Sequence, residues 1–441
     1  MRLPLALRRL VYRFRGGFLI RPVLIALGLG TAGAVLSAAE EAVPAISRAV
    51  PTVLFPSSAD PQVAQAVLSC IATSTMTIVS IVFAILLMTL TLASMQFSPR
   101  IIVSFVQDRV TQQTLGIFLG TFAYCLAALP AARSQPYPFA PVATVLGAML
   151  LALASVGWLL FFIHHVSRAI SVNHIVDRIA WETEGVIDEM MPHPRRGEPR
   201  AAPPAEPDAP GVLVPNRVSG YVRYLDTDRL VALAATTGRT VRVLRRVGHF
   251  VPAGVPLMEV SGPPLPPRLP DELLGSFDMG PTRTLEQDAE FGVLQIVDIA
   301  LRAISPAVND PSTAISCVDQ LSRILIRFAS RELPESILRD PAGVARVIVI
   351  WPDFGRLVEG AFEQIRLYAR SDLAVNLRMM RALTDIVATV PDAGHRRLLA
   401  ERGRRIVTGC ESNFARDELG EMLARLATLE QAAARAGSTG E

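Results

Sequence analysis

Lysine is absent from this 441-residue chain; all 43 basic residues are arginine. Without a lysine amine there is no Schiff base, no phosphate-loop cation and no attachment point for lipoate or biotin. Cysteine is scarce. Cys70, Cys125, Cys317 and Cys410 have no partners at two-residue spacing, which excludes zinc-ribbon and thioredoxin-like motifs. Two lie in apolar runs and two in a region expected in the cytosol, so disulfides are not expected. No Ser-His-Asp order, phosphate loop or HExxH string occurs. No cofactor is expected, and an enzyme is not the favoured reading. What the chain has in excess is apolar content, 51% hydrophobic residues with a mean hydropathy of +0.37. The net charge is only +3.

Four apolar runs, Phe18–Ala39, Val67–Phe97, Leu115–Ala132 and Val142–Ile163, are each long enough to cross about 30 Å of hydrocarbon. The first is too long for a signal-peptide core and is followed by Glu40 and Glu41, so it reads as an uncleaved span. Arginines gather before the first run (Arg2, Arg8, Arg9, Arg13, Arg15), after the second (Arg100, Arg109) and after the fourth (Arg168, Arg178). The positive-inside rule then puts both termini in the cytoplasm. Residues 1–170 form the expected transmembrane domain, 171–211 a juxtamembrane helix and proline-rich linker, 212–262 a small β module and 263–441 a cytosolic helical domain.

The second run carries no charge, yet Ser69, Thr73, Thr77, Ser80, Thr91, Ser94 and Ser98 recur at steps of three or four, interrupted at Ala84 and Leu87. That period keeps them on one helix face. Two readings follow: hydroxyls at a helix contact, or hydroxyls lining a wet path through an oligomer. Asp60-Pro61 is a helix start, Ser98-Pro99 repeats the signal, and Ile101–Val110 is amphipathic and expected at the inner membrane surface. Gly116 and Gly120 form a GxxxG packing motif. Gly28, Gly30 and Gly33 match a dinucleotide fingerprint, but no strand precedes them and the motif is set aside. His164, His165 and His174 close the fourth run without a metal-ligand spacing.

Between Val212 and Val260, short β-type runs including Leu225, Leu230, Val241 and Val243 are punctuated by Gly220, Gly238, Gly248 and Gly254. The stretch resembles a lipoyl-like barrel-sandwich hybrid, most closely at the turn Val247–Gly254, and implies an assembly module because the carrier lysine is missing. Thr284 and Gln287 form a capping-box pair ahead of a helix bearing Asp288, Gln295 and Arg302 at seven-residue spacing, with Asp298 beside them. Asp310-Pro311 caps the next helix, Val344–Trp351 reads as a short strand, and helical patterns follow near Gly355–Arg370, Leu373–Val390, Ala393–Cys410 and Asn413–Ala434. Asp288, Asp298, Asn309 and Asp310 could bind a divalent ion or act as bases. Capping and pairing with arginine also account for each of them. Arg242, Arg245 and Arg246 suit anionic lipid rather than nucleic acid, since no aromatics are interleaved.

The strings RTLEQDAEFGVLQIVDIALRAISPAVNDPSTA (Arg283–Ala314) and QFSPRIIVSFVQDRVTQQTLGIFLGTFAY (Gln96–Tyr124) resemble the hallmarks of a bacterial family of membrane proteins, domain of unknown function 2254. The resemblance implies a multi-pass inner-membrane protein and no known activity. The expectation is therefore an α-helical membrane protein with four transmembrane helices and a cytosolic α+β region, made of a small β barrel-sandwich-like module and a helical domain. The leading function is an oligomeric channel or transport-related protein, with the lipid bilayer and further copies of itself as partners. A non-conducting scaffold or sensor that binds protein or lipid comes second, and a membrane-tethered enzyme third.

Overall fold

A computed structural model describes residues 19–43, 45–48, 50, 60–96, 108–135, 137–169, 171–195, 211–262 and 264–435. The fold is mostly helical and divides into two compact units, residues 1–171 and 172–441.

The amino-terminal unit contains four helices long and apolar enough to cross a membrane: α1 (Ile20–Ala42), α2 (Pro61–Gln96), α3 (Arg109–Ala128) and α4 (Val142–Ala169). Half of the most apolar window of α3 is buried, against 17% in the other three, so the unit is built around α3. Helix α3 starts six residues earlier than its apolar run. Asp108 caps it by accepting from the Thr111 backbone N–H at 2.9 Å, and this cap carries the helix through polar Thr111 and Gln112. Most of the amphipathic Ile101–Val110 segment, and Ser98-Pro99, lie outside the described residues.

Glycine sets the α1–α3 contact. A Cβ on Gly33 would lie 2.6 Å from the Tyr124 carbonyl oxygen, and one on Gly116 or Gly120 would meet Ile25 or Leu29. The backbones can approach this closely only because no side chain intervenes. Polar links then join α3 to α4 along their length: Tyr124 to the Thr144 carbonyl at 3.1 Å, Thr121 with Ser155 at 3.2 Å, Trp158 to Thr114 at 2.9 Å, and His165 with Asp108 at 3.2 Å. Glu40, at the end of α1, is fully buried. It accepts from the backbone N–H groups of Ala143 (2.8 Å) and Thr144 (3.0 Å) and from the hydroxyls of Thr144 (2.9 Å) and Ser47 (2.6 Å). A carboxylate there satisfies the open donors of the α4 N-terminus and suits its dipole.

The carboxy-terminal unit opens with α5 (Val172–Met190). The β region has strands β1 (Val212–Pro215), β2 (Gly220–Leu225), β3 (Thr240–Val243), β4 (Phe250–Val251), β5 (Pro256–Ser261), β6 (Phe277–Gly280), β7 (Ile337–Arg339) and β8 (Ala345–Ile348). One sheet has the order β1-β5-β3-β8-β7, with β3 and β8 parallel, and the other β4-β2-β6. Val222, Val241, Val243, Val251, Leu257 and Val347 meet in one core drawn from both sheets. Three of the strands come from beyond residue 262. Leu230, expected in a β run, instead lies in α6 (Thr227–Thr236), which Asp226 caps through the Arg229 N–H. A cap followed by apolar residues at i and i+4, Leu230 and Ala234, outweighs the β-type neighbours.

Helices α7 (Leu269–Leu274), α8 (Ala289–Ala303), α9 (Pro311–Ala329), α10 (Phe354–Tyr368), α11 (Leu373–Thr389), α12 (Ala393–Cys410) and α13 (Arg416–Arg435) complete the chain. Aspartate caps α8, α9, α10, α11 and α12 through Asp288, Asp310, Asp353, Asp372 and Asp392, each accepting from the backbone N–H three residues on. The expected capping box does not form: α8 starts at Asp288, so Thr284 lies too early to cap it. Helix α5 runs beside α9 and is tied to it by ion pairs of Arg323 with Asp177 and Glu184, and of Arg327 and Arg331 with Asp188.

Two outcomes are expected. Gly33→Ala should lower the thermal midpoint in mild detergent by an amount equivalent to about 1–3 kcal/mol, because the Tyr124 backbone cannot give way. Gly28→Ala, with nothing within 4 Å of its Cβ, should leave the midpoint unchanged. Hydrogen bonding to Arg327 holds the Asp188 carboxyl below its ordinary value of 3.8. That contribution to stability is fully present above the unfolded value and is lost as the pH falls through the lower folded one. In acid titrations of unfolding, Asp188→Asn should therefore flatten the loss of stability below pH 3.8 and leave its neutral-to-alkaline slope unchanged.

Candidate functional site

Helix α2 has two unlike faces. Ala64, Leu68, Thr75, Val79 and Val82 are buried within the unit. On the other side Ser69, Thr73, Thr77, Ser80 and Thr91 are all exposed. The period read from the chain therefore places these hydroxyls on one open face, away from the helix's own neighbours. Ser94 belongs to α2, but its side chain, like Ser98, lies outside the described residues. Each hydroxyl with a described bond reaches back one turn: Thr73 to the Ser69 carbonyl (2.9 Å), Thr77 to Thr73 (3.0 Å), Ser80 to Met76 (3.1 Å) and Thr91 to Leu87 (2.8 Å). Bonding of this kind satisfies the donor and leaves the oxygen lone pairs facing outward. Cys70 is exposed on the same side, while the other three cysteines are buried.

The polar residues of the carboxy-terminal unit do not form one cluster. Asp288 and Asp310 lie at opposite ends of the 15-residue α8, roughly 22 Å apart at 1.5 Å per residue. Asp288 is buried; it caps α8 and takes a two-pronged ion pair from Arg283, both bonds at 2.8 Å. Asp310 caps α9, and the Thr313 hydroxyl and N–H hold its carboxyl below the usual carboxylate range. Asn309 turns the chain between the helices at φ 50, a left-handed conformation that asparagine tolerates. Gln295 is buried, and its amide oxygen has no partner among the described residues. Asp298 and Arg302 both have partners. Among the described residues no group of three histidines, cysteines or acids is placed to hold a metal; His165 pairs instead with Asp108.

Residues 283–292 form a joint. The Gln287 side chain accepts from the Leu225 N–H (2.9 Å) and donates to its carbonyl (3.3 Å), taking the place of a neighbouring strand for that residue. Glu290 accepts from buried Arg246 at 2.8 Å. Gly248 has φ +89, and a Cβ there would sit 2.6 Å from the Asp288 carboxylate. On the next turn, a Cβ on Gly292 would meet the Thr183 hydroxyl at 1.9 Å, so α8 and α5 pack through a glycine. The adjoining cleft, lined by Leu225, Thr227, Arg246, Gln287, Asp288 and Trp351, holds about 20 Å³, room for about one water. The arrangement binds the β region to the helices. The sequence reading leaves Arg283 and Gly292 unmarked, takes Gly248 only as β-region punctuation and takes Glu40 only as a charge that ends the first apolar run. A glycine inside an apolar helical run was the signal available for Gly292.

Asp288→Ala should cost about 3–5 kcal/mol, since it strands Arg283 and removes a cap. Gly292→Val should cost about 1–3 kcal/mol through overpacking against Thr183. Gly185→Ala, on an exposed and open position of α5, should instead stabilise by about 0.5–1 kcal/mol. Chemical denaturation of the purified chain checks all three.

Comparison with known proteins agrees with the membrane character of α1–α4. The uncharacterized protein Mb1321c of Mycobacterium bovis and the uncharacterized protein Rv1290c of Mycobacterium tuberculosis are each 32% identical to this chain over 399 residues, covering 89% of it and 75% of their own length. No solved structure gives a significant match. The family model described as "Predicted membrane protein (DUF2254)" matches residues 15–385, and it includes both the α2–α3 segment and the joint at 283–292. This chain belongs to that family of predicted membrane proteins.

Proposed function

We propose that the chain is one subunit of a homo-oligomeric channel or transport-related protein of the bacterial inner membrane, with both termini in the cytoplasm. The α2 helices of several copies surround a shared path, and the carboxy-terminal unit assembles or gates it. The observation that carries this reading is the exposed stripe from Ser69 to Thr91, which turns away from the chain's own helices and carries no charge. Small hydroxyl residues allow close approach between copies and offer water an oxygen at each turn. The β region is read as a barrel-sandwich-like assembly module, supported by positive φ at Gly248 and Gly254 on either side of the turn that resembles that family.

A second reading, a non-conducting scaffold or sensor, is favoured by the same back-bonding, because hydroxyls satisfied within their own helix can also face lipid. Reconstituted liposomes separate the two. The channel reading expects ion leak that falls on the order of tenfold in Thr77→Leu or Ser80→Leu, as apolar bulk replaces oxygens along the path. It also expects thiol cross-linking between copies at Cys70. Monomers that neither cross-link nor leak overturn the channel reading.

A further inference from the structure

The outer face of the β4-β2-β6 sheet carries a feature that neither the joint nor the α2 stripe uses. Phe250, on edge strand β4, is 52% exposed and Val218 is 64% exposed. In the β2–β4 pairing Gly220 faces Val251 and Tyr221 faces Phe250, and Val218 lies in the bend that leads into β2. The Tyr221 and Phe250 rings meet edge to face at 5.1 Å. Ser219 accepts from the Ala253 N–H at 2.9 Å, and the Asn216 amide donates to the carbonyls of Val218 and Val251, so this corner is rigidly built. Arg245 and His249 lie on the turn leading into β4. Arg245 is exposed, with no carboxylate partner among the described residues. Burial, and after it Arg246 with smaller effects from Arg245 and Arg356, holds the His249 imidazole below its ordinary value against the opposing pull of Glu290. Arg246 is paired with Glu290 and Arg356 with Asp353, so Arg245 is the exposed guanidinium that this corner offers.

We propose that this corner, formed by Val218, Tyr221, Arg245, His249 and Phe250, is a docking surface for a membrane face rich in anionic lipid. An aromatic ring and an aliphatic side chain beside unpaired arginine match the polarity of the headgroup boundary, where apolar groups enter and cations meet phosphate. The chain belongs to a membrane protein family, so the surface is tethered to its partner and needs only weak intrinsic attraction. A symmetric contact between two copies through the same corner would set Arg245 against Arg245, which disfavours self-association here. The inference rests on membrane placement and not on conduction.

The test uses the full chain with Cys70→Ser, whose remaining cysteines are buried, and Ala253→Cys carrying an environment-sensitive fluorophore at the exposed turn beside Phe250. In vesicles of phosphatidylglycerol the probe should be shielded from iodide and quenched by spin-labelled lipid. In vesicles of phosphatidylcholine alone both effects should be weaker. Arg245→Glu should weaken the docked population at least about fivefold, the loss expected for one basic residue near an anionic surface, and Phe250→Ser should abolish the lipid quenching. Equal iodide access in both vesicles overturns the proposal. Shielding without quenching by lipid also overturns it, and assigns the corner to a protein partner.

Discussion

The ion pair between Arg283 and Asp288 fixes the boundary between the β region and the helices of the carboxy-terminal unit. One carboxylate closes the N-terminus of α8, receives both prongs of a guanidinium and forbids a side chain at position 248. Within three residues on either side, Gln287 grips the Leu225 backbone and Glu290 grips Arg246. The β region and the helices thus share a boundary built of buried charge and directional hydrogen bonds. Apolar packing tolerates small slips, whereas a two-pronged pair on a buried carboxylate does not. The contacts of Arg283, Gln287, Asp288, Glu290 and Gly292 all serve this boundary.

The absence of lysine is consistent with this way of building. The pairs joining α5 to α9, Arg323 with Glu184 and Arg327 with Asp188, are each made by two guanidinium nitrogens on two carboxylate oxygens. Arg366 with Glu363 in α10 has the same form. An ammonium group offers a point charge and could not fix the orientation of a helix in this way. Aspartate plays the complementary part, capping α3, α6 and each of α8 to α12.

The sequence revealed elements more clearly than joints. Helix α12 was legible to the residue as Ala393–Cys410, and α11 to within one, because aspartate caps and apolar periods coincide there. Four membrane-spanning candidates were legible from length and composition alone. The early start of α3 was not, because hydropathy discounts the polar first turns that Asp108 caps. The capping box at Thr284 was misread because Gln287 finds a long-range backbone partner at Leu225 that no local pattern announces. Glu40 reads from the sequence only as a charge that ends the first apolar run. Its partners lie 103 and 104 positions along the chain, and contacts so distant leave no trace in periodicity. For the α2 stripe, the face was legible but its surroundings were not, since spacing places residues together without saying what lies opposite them.

Glu40 also bears on the kind of transport the amino-terminal unit could support. Ion-coupled carriers use a carboxyl within the membrane that can exchange its partners for a proton or a cation. An ionised carboxylate presents about four acceptor positions. At Glu40 these are met by Ser47, the Ala143 and Thr144 N–H groups and the Thr144 hydroxyl. Releasing any of the backbone donors would uncap α4, and α4 is held to α3 by hydrogen bonds from Thr144 to His165. Exchange at Glu40 would therefore be coupled to loss of a helix terminus. The back-bonded hydroxyls of α2 carry no such cost, because a water or a solute can approach their free lone pairs without breaking a bond the fold requires. Within the channel reading proposed above, this favours passive passage along α2 over ion-coupled exchange.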